Sequence, residues 1–193
     1  MGTIVVFENV SLDGVTQDPT GEDGFCAVDW RDQLSPADRE AWAGLILDDI
    51  QSASALLIGR GSYDYFAARY PTRTGPMADR MNSLPKHVVS TTLADPTWHN
   101  STVLTGDVVP AVTKLKEITD GELRVYASSR LVPLLLAHDL VDEIRLVVFP
   151  LAMGAGHSIF DQAASRPLRP TLLRLVESRT VGENLLHLTY RRG

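Results

Sequence analysis

The sequence predicts an α/β fold: a mixed, mostly parallel sheet of about eight strands with helices on both faces and a C-terminal antiparallel hairpin. Three observations point to it. Short β-branched or apolar runs alternate with helical patterns, the order that right-handed crossovers build into a parallel sheet. The stretch Glu143 to Phe149 reads as a continuous apolar run, as expected of a strand covered on both faces. Two strand-like runs, Thr171 to Thr180 and Leu185 to Tyr190, flank Val181-Gly182-Glu183-Asn184, a hairpin turn.

The elements follow in order. Thr3 to Asn9 is a first strand by its β-branched content, and the Gly-, Asp- and Pro-rich stretch from Asp13 to Gly24 is loop. Ser35-Pro36-Ala37-Asp38 starts a helix, with Ser35 as N-cap, proline in the first turn and a carboxylate near the positive dipole end. Behind it Trp42, Leu45, Ile46, Ile50 and Ala53 share one face. Ala55 to Ile58 is a short strand that runs into Gly59-Arg60-Gly61, and a helix with Tyr63, Phe66, Ala67 and Tyr70 on its apolar side follows. Met77, Met81 and Leu84 mark another helix after a loop from Pro71 to Pro76. Strands are expected at Lys86 to Ser90, Thr102 to Leu104 and Leu123 to Ala127, with a helix through Val108, Val112 and Leu115. Arg130 to His138 is a leucine-rich helix that tolerates Pro133 only near its first turn. No repeat, linker or shift in composition divides the 193 residues, so one domain is expected.

Composition narrows the function classes. A chain that is 44% hydrophobic and 22% charged is ordinary for a globular protein, and a net charge of −6 offers no footprint for nucleic acid or an anionic membrane surface. No run approaches a membrane span, and Met1 to Val6 lacks the basic region and cleavage site of a signal peptide. The lone Cys26 excludes an internal disulfide and fits a reducing, cytoplasmic setting. Five scattered histidines without an i, i+4 pair give no metal site. The acidic pair Asp142-Glu143 reads most simply as solvated, and Arg191-Arg192 as a solubilising chain end.

In such sheets ligands collect beyond the carboxyl ends of the strands. That directs attention to Asn9–Gly14, Gly59–Tyr63, Ser90–Leu93 and Ala127–Leu131. Gly59-Arg60-Gly61-Ser62 brings a strand through a glycine turn to a helix start, where free amides and the helix dipole favour phosphate. Asp64 stands where the dinucleotide fingerprint needs a third glycine, so a plain strand-to-helix turn is the competing reading. Ala127-Ser128-Ser129-Arg130-Leu131 offers small residues, two hydroxyls and a guanidinium; simple serine capping is its alternative. Ser90-Thr91-Thr92 suits a ribose or its phosphate, or is a polar turn, and Gly154-Ala155-Gly156 is equally a turn or a site wall.

Four stretches resemble the reductase domain of riboflavin biosynthesis and its stand-alone, dihydrofolate-reductase-like bacterial relatives. They are Val10-Ser11-Leu12-Asp13-Gly14, Leu57 to Tyr63, Pro85 to Leu93, and Leu140 to Glu143 running into Phe149 to Gly156. The resemblance implies a domain that binds NADP (NADPH, with NAD open), as a homodimer, and passes hydride to a small substrate. By matching position it puts Asn9 and Gly59, Arg60 and Ser62 near the nicotinamide half and the phosphates. It puts Ser90, Thr91 and Thr92 at the adenosine ribose, and Ala127, Ser128, Ser129, Arg130 and Leu131 around the pyrophosphate. Asp13, Trp30 and Tyr63 would border the substrate, with Asp13 as the candidate to polarise or protonate it, or merely to cap its loop. The implied activity is like that of 5-amino-6-(5-phosphoribosylamino)uracil reductase or dihydrofolate reductase.

The chain departs from the family pattern in three respects. Ala127 replaces a common glycine, Thr92 stands where an arginine is frequent, and the His-x-Glu and Pro-Cys-x-x-Cys pair of the joined zinc deaminase is missing. Asp38 matches the folate-anchoring carboxylate in order but already has a capping role. The alternatives are a non-catalytic small-molecule or nucleotide-binding domain that retains the fold, and a true folate reductase.

Overall fold

The computed structural model describes residues 1–161 and 171–193. The first half of the chain forms β1 (Thr3–Val10), a 3-10 turn (Trp30–Gln33), α1 (Pro36–Ser52), β2 (Ala53–Gly59), α2 (Arg60–Ala67) and α3 (Pro76–Ser83). The second half forms β3 (Lys86–Val89), β4 (Ser101–Leu104), α4 (Val108–Ile118), β5 (Glu122–Tyr126), α5 (Leu131–Ala137), β6 (Glu143–Val148), β7 (Leu173–Val181) and β8 (Leu185–Arg192). The strands make one sheet of order β4-β3-β2-β5-β1-β6-β8-β7, parallel from β4 to β6 and antiparallel at β8 and β7. The expected α/β class and closing hairpin are both present.

Each face of the sheet carries its own core. On one side Leu45 and Ile50 of α1, Tyr63 of α2 and Met81 of α3 pack with Phe7, Leu56, Ile58 and Phe149. On the other, Val112 and Leu115 of α4 and Leu131, Val132 and Leu135 of α5 cover Ile4, Val6, Leu57, Val125 and Ile144. Successive strand residues point to opposite faces, so a strand buried on both sides supplies both cores. β1 does so with Ile4 and Val6 on one face and Phe7 on the other.

Several local expectations are corrected by distant contacts. Ala53 does not continue the apolar face of α1; the helix stops at Ser52 and Ala53 opens β2. Asp142 and Glu143 are not a solvated pair. Asp142 accepts the Ile4 amide at 2.7 Å and the Lys116 ammonium at 2.7 Å, and buried Glu143 pairs with Arg145 and Arg191. Arg191 and Arg192 therefore do more than solubilise, since Arg192 also bonds the Asp139 carbonyl at 2.8 Å. β6 is covered incompletely, because Glu143 and Arg145 line the α1 side of a strand read as wholly apolar.

The first helix is tied to the last hairpin. Ser35 caps α1 as expected, with its hydroxyl accepting the Asp38 amide. The Asp38 carboxylate turns away from the helix to accept the amides of Glu183 (2.6 Å) and Asn184 (3.1 Å) and the Asn184 side-chain amide (2.8 Å). Gly182 makes this possible. Its φ of +64° is left-handed, and a Cβ there would lie 2.3 Å from the Asp38 carboxylate.

Candidate functional site at the split between β2 and β5

β2 and β5 pair only as far as Leu56 and Arg124, whereas β2 stays paired with β3 through Gly59. From its carboxyl end β2 continues through α2 and α3 to β3 on one side, and β5 through α5 to β6 on the other. Neighbouring strands whose connections leave in opposite directions open a crevice, the preferred ligand position in α/β sheets. The starts of α2 and α5 flank this one.

The expected residues meet here. The Gly59 amide, left without a β5 carbonyl, donates to the Ser128 hydroxyl at 3.1 Å. The Ser128 amide donates to the Ser62 hydroxyl at 2.9 Å. Arg60 reaches across to the β3 end, donating to the Thr92 hydroxyl at 3.4 Å while its Nε holds the Asp64 carboxylate at 2.8 Å. Three of the four strand-end segments, up to 69 positions apart in sequence, are thereby joined at one place.

Two details bear on what the crevice could hold. The first-turn amides of Arg60, Gly61 and Ser62 have no intrahelical acceptor, as at any helix start, and α2 has no side-chain cap to serve them. A Cβ on Gly61 would meet no atom within 4 Å, and one on Gly59 would make only ordinary contacts from 3.8 Å. The protein interior therefore requires neither glycine, although Gly61, inside α2, costs about 1 kcal/mol relative to alanine. Across the crevice Ala127 and Ser128 are both left-handed, with φ of +51° and +69°, a conformation that L-residues resist by roughly 1–2 kcal/mol each. Ala127 thus stands at a position where glycine would be unstrained.

Other predicted residues are placed differently. The Ser90 hydroxyl accepts the amides of Thr92 (3.2 Å) and Leu93 (3.0 Å), so it shapes its own loop, while Thr91 and Thr92 are exposed. Ser129 and Arg130 are exposed at the start of α5, and Leu131 is buried beneath them. Asn9 accepts the Trp42 indole N–H at 3.1 Å. Trp42 and Trp30 both pack on Phe149, with ring centroids 6.4 and 5.7 Å away, making an aromatic wall under the ends of β1 and β6. Trp30 is fully buried, and its indole N–H has no acceptor among the described residues. Tyr63 is also buried, its hydroxyl accepting the Trp98 amide at 3.0 Å.

Asp13 is a clamp. Its carboxylate accepts the Ser11 hydroxyl at 2.6 Å and the amides of Met153 (3.1 Å) and Gly154 (2.6 Å), joining the loop after β1 to the segment after β6. The Ser11 bond first, then those amides, hold its pKa down at about 2. A carboxyl ionised throughout the neutral range is not a proton donor there, so the geometry favours the capping role over protonation. Asp18 organises the next loop by accepting the amides of Asp23, Phe25 and Cys26.

A second polar region lay outside the sequence-based expectation. A cavity of about 290 Å³, lined among others by Asp49, Glu143, Arg145, His187 and Arg191, sits beside the C-terminal half of α1, away from the crevice. Fully buried Arg124 and half-buried Arg145 both pair with Asp49, whose other oxygen accepts the Tyr126 hydroxyl at 2.6 Å. Burial, then the Asp49 charge, pushes the Tyr126 pKa well up, so the phenol remains a donor. Asp49, Arg124, Arg145 and Tyr126 carry no signal in the sequence, because each is an ordinary polar residue until the fold gathers them. Among the described residues no group of three or more His, Cys, Asp or Glu side chains could hold a metal ion, and no helix is long and apolar enough to cross a membrane.

A mixed eight-stranded sheet with this strand order, helices on both faces and a C-terminal hairpin defines an α/β domain of the dihydrofolate-reductase-like class. The chain belongs to the RibD C-terminal domain family, whose model matches residues 2–187, and that family is of reductase type. It is similar to the uncharacterized protein YyaP of Bacillus subtilis (strain 168), 24% identical over 187 residues, which span 94% of this chain and 90% of that one. Among solved structures it is similar to a protein described as a riboflavin biosynthesis protein from Shewanella sp. PV-4. That match has a TM-score of 0.75 at 22% identity and covers 99% of each chain. It also resembles the dihydrofolate reductase of Enterococcus faecalis, solved as a complex with NADP(H), with a TM-score of 0.59 at 11% identity over 99% of this chain and 96% of that one. At these identities the structural likeness is one of fold.

Proposed function

We propose that this chain is an NADPH-dependent reductase that delivers hydride to a small polar substrate, a pteridine or a ribityl-pyrimidine precursor, with the dinucleotide lying across the β2–β5 crevice. The carrying observation is the start of α2: uncapped amides, a Gly61 with open space around it, and Arg60 spanning to Thr92. A bound nicotinamide cofactor would supply the hydride, and the protein supplies position and electrostatics. Amides and the helix dipole at Arg60 to Ser62 favour a phosphate. Arg60, held by Asp64, stands beside the exposed Thr91 and Thr92, where it replaces the arginine missing at position 92 as the cation for a 2′-phosphate. The Asn9–Trp42 bond and the wall of Trp30, Trp42 and Phe149 exclude water beneath the ends of β1 and β6. The Asp13 clamp keeps the two loops above that wall together. A homodimer and a cytoplasmic location accompany this reading, checked by light scattering and by cell fractionation.

Thermal unfolding with NADPH, NADH or neither tests it. A ligand at 100 times its Kd adds about 2.7 kcal/mol to stability by mass action, which raises Tm by about 8 °C in a protein of this size. A shift with NADPH that exceeds the shift with NADH supports the reading. No shift with either overturns it in favour of a domain that retains the fold without the chemistry, a reading that the left-handed Ala127 supports. A folate-type anchor at Asp38 has little room, since that carboxylate already serves the hairpin turn.

A further inference from the structure

The two serines of the crevice are hydrogen-bonded to each other and to the strand end opposite. A hydroxyl has one proton and two acceptor sites. Ser128 gives its proton to the Tyr126 carbonyl at 3.0 Å and accepts the Gly59 amide at 3.1 Å. The Ser62 hydroxyl lies 3.2 Å from that of Ser128 and accepts the Ser128 amide at 2.9 Å. The same Ser128 proton is also within reach of the Ser62 hydroxyl, so it is used inside the crevice in either arrangement. The Ser128 side chain then has no proton for a phosphate oxygen and is not placed as a phosphate ligand.

We propose that Ser62 and Ser128 form a clasp that fixes the width of the β2–β5 crevice, making Ser128 the positioning residue for a dinucleotide's pyrophosphate. The proposal rests on the cofactor reading above and deepens it. Ser128 supplies by side chain the rung that β5 stops providing after Arg124, and so holds the ends of two diverging strands at a set separation. Ser62 carries the same link to α2, so the starts of α2 and α5 are tied into one unit. The left-handed pair Ala127–Ser128 persists because these bonds over-determine it, and strain of this kind gathers where geometry serves a ligand. The surroundings of Gly61 are open, which leaves room beside the clasp for that ligand's backbone-close approach, while Gly59 faces Ser128 and Leu131 across the split.

A ligand that must touch both sides at once depends on their spacing, whereas a ligand held on one side does not. NADPH spans the crevice, and adenosine 2′-monophosphate occupies only the Arg60–Thr92 side. Calorimetric titration of the unaltered chain, Ser62→Ala, Ser128→Ala and Ser128→Gly with both compounds separates the cases. The expected result is NADPH binding weakened about tenfold in all three variants, or about 1.4 kcal/mol, with adenosine 2′-monophosphate unchanged within about twofold. Ser128→Gly keeps the left-handed backbone without its cost, so binding at the unaltered level in that variant shows that the hydroxyl is idle and overturns the proposal. Equal loss for both compounds overturns it too, because that is the mark of general unfolding of the crevice. Unchanged NADPH affinity in every variant refutes the clasp alone. Failure of the unaltered chain to bind NADPH removes the cofactor reading and the clasp with it.

Discussion

Asp49→Ala should be the most damaging single substitution at a position with no assigned part in ligand binding. Asp49 is almost fully buried on α1 and pairs through one oxygen with fully buried Arg124 and with Arg145, and through the other with the Tyr126 hydroxyl. Removing one partner of a buried pair costs about 3–5 kcal/mol, because the remaining charge stays in the interior uncompensated. Leaving the Tyr126 hydroxyl without an acceptor adds about 1–3 kcal/mol, and the two losses overlap at one site. Glu122 remains beside both arginines and returns part of the loss, so about 4 kcal/mol is expected. In a chain of this length that corresponds to a Tm drop of about 12 °C. Urea unfolding followed by far-ultraviolet circular dichroism measures it, with an unchanged m-value showing that the unfolded state is the same. Asp49→Asn keeps an acceptor for Tyr126 and should lose less. The double variant Asp49→Leu with Arg124→Met removes both buried charges and should recover most of the stability lost by Asp49→Ala. A loss below about 1 kcal/mol for Asp49→Ala, or a double variant no more stable than the single one, would refute the desolvation reasoning.

Three further outcomes are expected. Asp13 and Asp38 both have folded pKa values held at about 2, below the usual 3.8, by hydrogen bonds to their ionised forms. Their contribution is therefore fully present above pH 3.8 and lost as pH falls toward 2, and Asp38→Asn should flatten the acid slope of unfolding midpoints; an unaltered slope in that variant would count against the hairpin bonds. Arg60→Leu should weaken NADPH at least tenfold in a binding titration and leave NADH nearly unaffected, while equal losses would place Arg60 away from the 2′-phosphate. Gly61→Ala has open space for its Cβ and should raise stability by up to about 1 kcal/mol while weakening NADPH. Stability and affinity that rise together in that variant would show that nothing approaches the backbone there.

Part of the crevice was legible in advance. Gly59 to Ser62 and Ala127 to Leu131 announce themselves as strand-to-helix junctions through neighbours one to four positions away, and both lie at the split. The role of each serine was not legible. Ser62 and Ser128 are 66 positions apart, and nothing in either neighbourhood says that one hydroxyl will accept the other's amide. Asp13 illustrates a different limit. A carboxylate after a first strand suits catalysis and loop capping equally, and its partners Met153 and Gly154 arrive only some 140 positions later.

Local pattern along the chain specifies the elements and the class: strands and helices in alternation, the Ser35 cap and the turn at Gly182. These depend on backbone preference and on periodicity, which act over a few residues. Tertiary structure alone decided which polar groups met: Asp38 on the hairpin, Asp49 between two arginines, and Ser128 across the split from Gly59. Those choices follow from desolvation. A buried donor or charge must find a partner, and only the closed sheet specifies which partner lies within reach.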